Sequence, residues 1–134
     1  MIAPPPAGAD RAIRTVLVVE DDEPVNRLVR RILAGWGYGV RGADDGFAAL
    51  AAIERERPDL VLADVMMPGL SGIDLVRRLG ERQTRLPVVL FSAYDRHQAL
   101  PPVPFLLKPF TLGQFRAAVE AALEEPLPPA PERP

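Results

Sequence analysis

The strongest constraint on this chain is the stretch from Leu60 to Gly72, Leu-Val-Leu-Ala-Asp-Val-Met-Met-Pro-Gly-Leu-Ser-Gly. Apolar residues in succession, bounded by turn formers, read as a strand buried on both faces. Such a strand needs a sheet with a layer packed on each side, and this one stops at Asp64. In open α/β sheets, ligands and chemistry collect at that carboxyl edge. A carboxylate there can serve as nucleophile, as metal ligand, as both, or only as the cap of the helix that follows.

The same figure recurs along the chain. Val16-Leu-Val-Val19 runs into Glu20-Asp21-Asp22, Val88-Val-Leu-Phe91 ends at Ser92, and Phe105-Leu-Leu107 runs into Lys108-Pro109. Tyr38 to Arg41 supplies a further strand after Gly35 and Gly37 close a helix. Between the strands the apolar spacing changes to that of helices. Val25, Leu28, Val29, Ile32, Leu33 and Trp36 predict one core-facing stripe, opened by Pro24 in the first turn. Phe47, Leu50, Ala51 and Ile53 predict a second, and Ile73, Leu75, Val76 and Leu79 a third. Leu112, Phe115, Val119, Ala122 and Leu123 predict the last. Strand and helix in alternation predict an α/β fold: a doubly wound, five-stranded parallel sheet in three α/β/α layers.

A chain of 134 residues supports one domain, expected here over 14–125. The flanks, 1–13 and 126–134, are Pro-rich tails expected to be disordered. With 16 basic and 18 acidic residues the net charge is −2, and no basic block exists to meet phosphates. That argues against nucleic acid as a direct partner. No apolar run is long enough to span a bilayer. The absence of cysteine removes disulfides and thiolate metal sites and suits a cytoplasmic location. Gly37-Tyr-Gly-Val-Arg-Gly42 spells a dinucleotide fingerprint, but it closes a helix and enters a strand. The phosphate-binding mechanism needs the reverse order. His97 is the only histidine and reads as a solvated loop residue, while Arg27, Arg30 and Arg31 read as the solvated face of the first helix.

Four strands therefore end in polar residues at one edge: Glu20 and Asp21, Asp64, Ser92, and Lys108, the only lysine. Converging carboxylates repel and push up at least one pKa. A hard divalent cation such as Mg²⁺ relieves that conflict. A hydroxyl and an ammonium beside it are the donors a transferred phosphoryl group needs.

These pieces resemble the receiver domain of two-component response regulators. The resemblance rests on Val-Val-Glu-Asp-Asp-Glu-Pro at 18–24, Asp-Val-Met-Met-Pro-Gly at 64–69, Phe-Ser-Ala-Tyr at 91–94 and Leu-Lys-Pro-Phe at 107–110. It implies a flavodoxin-like topology and a signalling phosphoacceptor rather than an enzyme. Asp64 would take a phosphoryl group from a histidine kinase or histidine phosphotransfer protein. Asp21, Asp64 and the Met66 backbone carbonyl would hold Mg²⁺, or Mn²⁺ in its place, with Glu20 acting through a bound water. Lys108 would pair with the phosphoryl group, and Lys108–Pro109 would be a cis peptide. Ser92 would be the switch hydroxyl and Phe105 the switch aromatic, while Met66 and Tyr94 would tune dephosphorylation.

Two departures stand out. The acid pair is Glu-Asp instead of Asp-Asp, and only the 12 residues from Ala93 to Pro104, three of them proline, join the last two strands. The helix expected between those strands would be shortened or replaced by a loop, as in single-domain receivers. Two other functions compete. An aspartate-nucleophile phosphohydrolase would want an acid two residues after Asp64, where Met66 stands. A pseudo-receiver would bind partners without being phosphorylated.

Overall fold

The computed structural model describes residues 13–82, 85–93 and 103–124. The expectations for both tails, for Tyr94 and His97, and for the crossover helix between the last two strands fall on 1–12, 94–102 and 125–134, outside the described residues. In chain order the elements are β1 (Thr15–Val19), α1 (Glu23–Gly35), β2 (Gly39–Ala43), α2 (Gly46–Arg55) and β3 (Leu60–Asp64). Then follow α3 (Gly72–Glu81), β4 (Val88–Ser92), β5 (Phe105–Leu107) and α4 (Leu112–Glu124). All strand pairings are parallel, in the order β2-β1-β3-β4-β5. This is the doubly wound sheet the strand-helix alternation predicts. The chain steps outward from β1 to β2 on one side and through β3, β4 and β5 on the other. The crevice between the carboxyl ends of β1 and β3 is therefore the switch point at which such sheets bind ligands.

Every residue of β3 and β4 is buried, as the unbroken apolar runs require. One apolar layer sets Leu17, Val61, Ala63 and Leu90 of the sheet against Leu50 of α2 and Leu75 and Leu79 of α3. The other sets Val16, Val18, Leu62 and Val89 against Val29 and Leu33 of α1 and Phe115 and Val119 of α4. Each buried Leu, Val or Phe contributes about 1.5–3 kcal/mol before chain entropy is charged. Short polar residues start the helices. Asp22, Asp45 and Ser71 accept from the backbone N–H of Val25, Ala48 and Asp74 at 3.3, 2.7 and 3.1 Å, which satisfies donors left open in each first turn.

The expected apolar stripes need four corrections. Leu28 is 58% exposed, because the buried face of α1 is centred on Asn26, Val29 and Leu33. At about 100° per residue Leu28 lies roughly 130° from that centre. Phe47 and Ala51 are exposed for the same reason, since α2 turns Gly46, Ala49, Leu50, Ala52 and Ile53 inward. Small residues occupy that face, so apolar spacing alone picks the wrong phase. Leu112 is in phase but opens α4, and a helical Cβ leans back toward the N-terminus, past the end of its own helix.

Candidate functional site

β1 and β3 are neighbours, with Val19 paired to Ala63. Their next residues, Glu20 and Asp64, consequently emerge side by side at the carboxyl edge, 2% and 7% exposed. Lys108 follows β5 directly, and its Nζ lies 3.3 Å from Asp64 Oδ2 and 3.4 Å from Glu20 Oε1. One ammonium thus bridges two buried carboxylates and rests 4.9 Å from the centre of the Phe91 ring. The Lys108 backbone N–H donates to the Ser92 carbonyl at 2.7 Å, and the Lys108–Pro109 peptide is cis. Ser92 closes β4 and is wholly buried.

Two buried carboxylates that share one cation remain under-compensated. Burial, then a side-chain hydrogen bond with Asp64, pushes the Glu20 carboxyl from the ordinary 4.5 up to about 7. The Asp22 backbone N–H, 3.2 Å from Glu20 Oε2, and the Lys108 charge pull it down by less.

Asp64 is aimed by the chain around it. The Met66 N–H donates to its Oδ1 at 2.9 Å. The Val65 N–H bonds the Phe91 carbonyl, and the Gly72 N–H bonds the Val65 carbonyl. Gly72 begins α3 so close to Asp64 that a Cβ would stand 2.4 Å from the Asp64 carbonyl oxygen. On the other flank Gly46 leaves room for Leu70, so the loop after Asp64 is seated by two glycines at helix starts.

Of the residues singled out from sequence, Glu20, Asp64 and Lys108 make direct contact, and Ser92 joins them through its backbone. Asp21 is exposed beside Glu20, and the Met66 side chain is 53% exposed. Phe105 is half-buried against the layer that contains α2 and α3. Among the described residues no three His, Cys, Asp or Glu side chains gather in a group that could hold a metal ion. The donors that do meet are of the kind Mg²⁺ takes: hard carboxylate oxygens, carrying more negative charge than Lys108 compensates.

Asn26 escaped the sequence reading. It is 2% exposed and reaches the end of β1. Its signal was a polar residue in the same helical phase as Val29 and Leu33. Arg30, read as part of a solvated face, instead bonds Asn26 through its Nε at 2.6 Å. Arg27 is exposed, as expected, and stands 3.7 Å from Glu23.

Residues 16–120 match the profile of the response regulator receiver domain. The chain belongs to the response regulator receiver family. Response regulator MprA of Mycobacterium leprae is 37% identical to it over 119 residues, which are 84% of this chain and 52% of that protein. The alkaline phosphatase synthesis transcriptional regulatory protein PhoP of Bacillus subtilis is 34% identical over 116 residues, 82% of this chain and 48% of its own length. The chain thus spans about half the length of the curated relatives it matches. Among solved structures, Vibrio cholerae chemotaxis protein CheY4 superposes with a TM-score of 0.76 at 26% identity, covering 84% of this chain and 100% of that one. Response regulator TrrA of Thermotoga maritima, solved in complex with Mg²⁺-BeF, gives 0.75 at 25% identity over 83% of this receiver and 100% of that chain. Among the described residues no helix is long and apolar enough to cross a membrane.

Proposed function

We propose that this receiver is a signalling phosphoacceptor, in which Asp64 takes a phosphoryl group from the phosphohistidine of a histidine kinase or histidine phosphotransfer protein. The observation that carries the reading is the junction of Glu20, Asp64 and Lys108 at the switch point. Asp64 Oδ2 attacks the phosphorus, the P–N bond to the donor imidazole breaks, and an acyl phosphate is left on the aspartate. Asp21, Asp64 and the Met66 carbonyl, with Glu20 alongside, would hold Mg²⁺ or Mn²⁺. When bound, the cation neutralises charge on the phosphoryl oxygens. Lys108 leaves its shared position between two carboxylates to pair with the new phosphoryl charge, which is about −1.5 to −2. Ser92, at the end of the neighbouring strand, supplies a hydroxyl for a phosphoryl oxygen, and Phe105 follows as the adjoining part of β5. Met66, exposed two residues after Asp64, offers no general acid for rapid hydrolysis.

Incubation with acetyl phosphate and Mg²⁺, read by intact mass, tests the reading. One added phosphoryl group that decays slowly is expected. An unchanged mass would point to a binding module that is never phosphorylated, and phosphate release over many turnovers to a phosphohydrolase. Lys108→Ala should still label to some extent but lose the conformational response of Ser92 and Phe105, followed by amide chemical shifts. A full response without Lys108 would remove its role.

Mg²⁺ should also raise the unfolding midpoint, because it relieves the Glu20–Asp64 conflict. A tenfold excess over Kd adds about 1.4 kcal/mol by linkage. A melting temperature indifferent to millimolar Mg²⁺ would count directly against a cation site here.

A further inference from the structure

We propose that Asn26 is a positioning residue for the acid loop, and that the Asn26–Arg30 pair sets how tightly residues 20 and 21 hold a divalent cation. The proposal rests on the phosphoacceptor reading above. Asn26 Nδ2 stands 3.2 Å from the carbonyl oxygen of Val18, 3.1 Å from that of Glu20 and 3.1 Å from that of Ala43. Two N–H groups are thus shared among three acceptors at the ends of β1 and β2. The Glu20 N–H donates to the same Ala43 carbonyl at 3.0 Å. The main chain of Glu20 is therefore held on both sides, its N–H by Ala43 and its carbonyl by Asn26. Any tilt of the amide moves the peptide that joins Glu20 to Asp21.

The amide is itself locked from outside. Arg30 Nε donates to Asn26 Oδ1 at 2.6 Å, one turn along α1, and a terminal Arg30 nitrogen reaches Glu23 Oε1 at 3.2 Å. This charge-assisted bond fixes which end of the amide faces the carbonyls. Gly42 makes room for it, since a Cβ there would meet Asn26 Oδ1 at 2.8 Å and Arg30 Nε at 3.0 Å. The last glycine of the spurious dinucleotide fingerprint thus has a structural use, which is to leave β2 bare beneath the pair. A cavity of about 230 Å³ lined by Glu23, Asn26, Arg30, Gly42 and Ala43 lies over this bond.

An apolar residue in the phase of Val29 and Leu33 could fill this place, but it would withdraw the donor from the three carbonyls that Asn26 reaches. The amide instead grips the backbone of an acid that the site needs. Ligand geometry must hold to within about 0.5 Å to be productive. Groups that orient ligands without touching the metal typically change its affinity by about 10–100-fold when removed.

The test uses the full chain, with Mg²⁺ alone as the calorimetric probe and the metal-free Glu20 amide exchange rate as a second readout. Asn26→Ala should weaken Mg²⁺ by about tenfold or more and speed exchange at Glu20. Arg30→Ala removes the lock but none of the three carbonyl contacts, whereas the Gly42→Ala methyl presses on Asn26 Oδ1 itself, and each should weaken Mg²⁺ by roughly threefold or more. Arg30→Lys can still donate to Asn26 Oδ1 and should restore most of the affinity, while Arg27→Ala should match wild type. If Asn26→Ala does not fold, the Arg30 and Gly42 variants decide. Lowered melting temperatures with unchanged Mg²⁺ affinity would make the network merely structural and overturn the inference. A wild-type chain that neither binds Mg²⁺ nor labels would overturn the phosphoacceptor reading and this inference with it. Wild-type binding matched by every variant overturns the inference alone.

Discussion

Asp64→Asn is expected to abolish phosphoryl labelling and, in the same change, to make the metal-free protein more stable near neutral pH. Asparagine keeps an Oδ1 for the Met66 N–H, which donates at 2.9 Å in the native protein. It removes the buried charge that faces Glu20, and Lys108 is left to pair with Glu20 alone. The gain depends on pH, and its sign follows from Glu20. Folding raises this carboxyl from 4.5 to about 7, so between those values the native state binds more protons than the unfolded chain. The penalty is therefore full above pH ~7, shrinks as pH falls through that value and is gone below pH ~4.5. At about 1.4 kcal/mol for each pH unit, Glu20 accounts for at most about 3–4 kcal/mol, shared with Asp64.

Thermal unfolding in chelator should show the wild type gaining stability as pH falls from about 8 to about 5. Asp64→Asn should flatten that slope without erasing it, because burial is the largest cause of the raised value and survives the change. Glu20→Gln should remove the Glu20 contribution entirely. Saturating Mg²⁺ should flatten the wild-type slope as well, since it favours the charged form. An Asp64→Asn protein less stable than wild type at pH ~8 in chelator would mean that Lys108 compensates both carboxylates fully.

How much of this was readable in advance depends on what each residue does. A parallel strand buried on both faces must be apolar throughout, so β1, β3 and β4 announced themselves, and their terminal acids and hydroxyl with them. Lys108 was legible for a similar reason: it is the lone lysine, placed directly after a short apolar run. The helix faces were less legible. In α1 the buried stripe includes a polar residue, Asn26, which apolar spacing cannot register. In α2 the inward face sets Gly46, Ala49 and Ala52 beside Leu50 and Ile53, so the larger Phe47 drew part of the prediction outward. Arg30 looked like one of three solvated arginines, because the bond that distinguishes it needs a partner that was itself overlooked. The glycines were hardest. Gly42 and Gly72 matter for what their missing side chains would strike, and that is a property of the assembled layers.

Gly72→Ala should be among the most damaging single-methyl additions in the chain. In a helix interior, alanine is favoured over glycine by up to about 1 kcal/mol, which alone would predict a gain. Packing opposes it. The new Cβ would stand 2.4 Å from the Asp64 carbonyl oxygen, 3.0 Å from its carbonyl carbon and 3.1 Å from a Leu90 methyl. Two of these three are backbone atoms of a wholly buried strand, so neither can turn away as a flexible side chain would. Overpacking of this kind typically costs about 1–3 kcal/mol and occasionally more, so the clash outweighs the propensity. Relief requires α3 to lift off or Asp64 to move, and either strains the 3.1 Å bond from the Gly72 N–H to the Val65 carbonyl. A shift of about 1 Å in a reacting group can slow chemistry by as much as 100-fold. Urea unfolding should place Gly72→Ala about 2 kcal/mol or more below wild type, and acetyl phosphate labelling should slow by at least tenfold. Gly80→Ala is the matched control: it lies in the same helix with nothing within 4 Å of its Cβ position, and it should stabilise by roughly 0.5–1 kcal/mol. Opposite signs from one substitution at two positions of α3 would show that the close approach of helix to strand at Asp64, and no general property of α3, sets the cost of the added methyl. Equal signs would mean that the helix yields at its first residue and that Asp64 is aimed by its own loop alone.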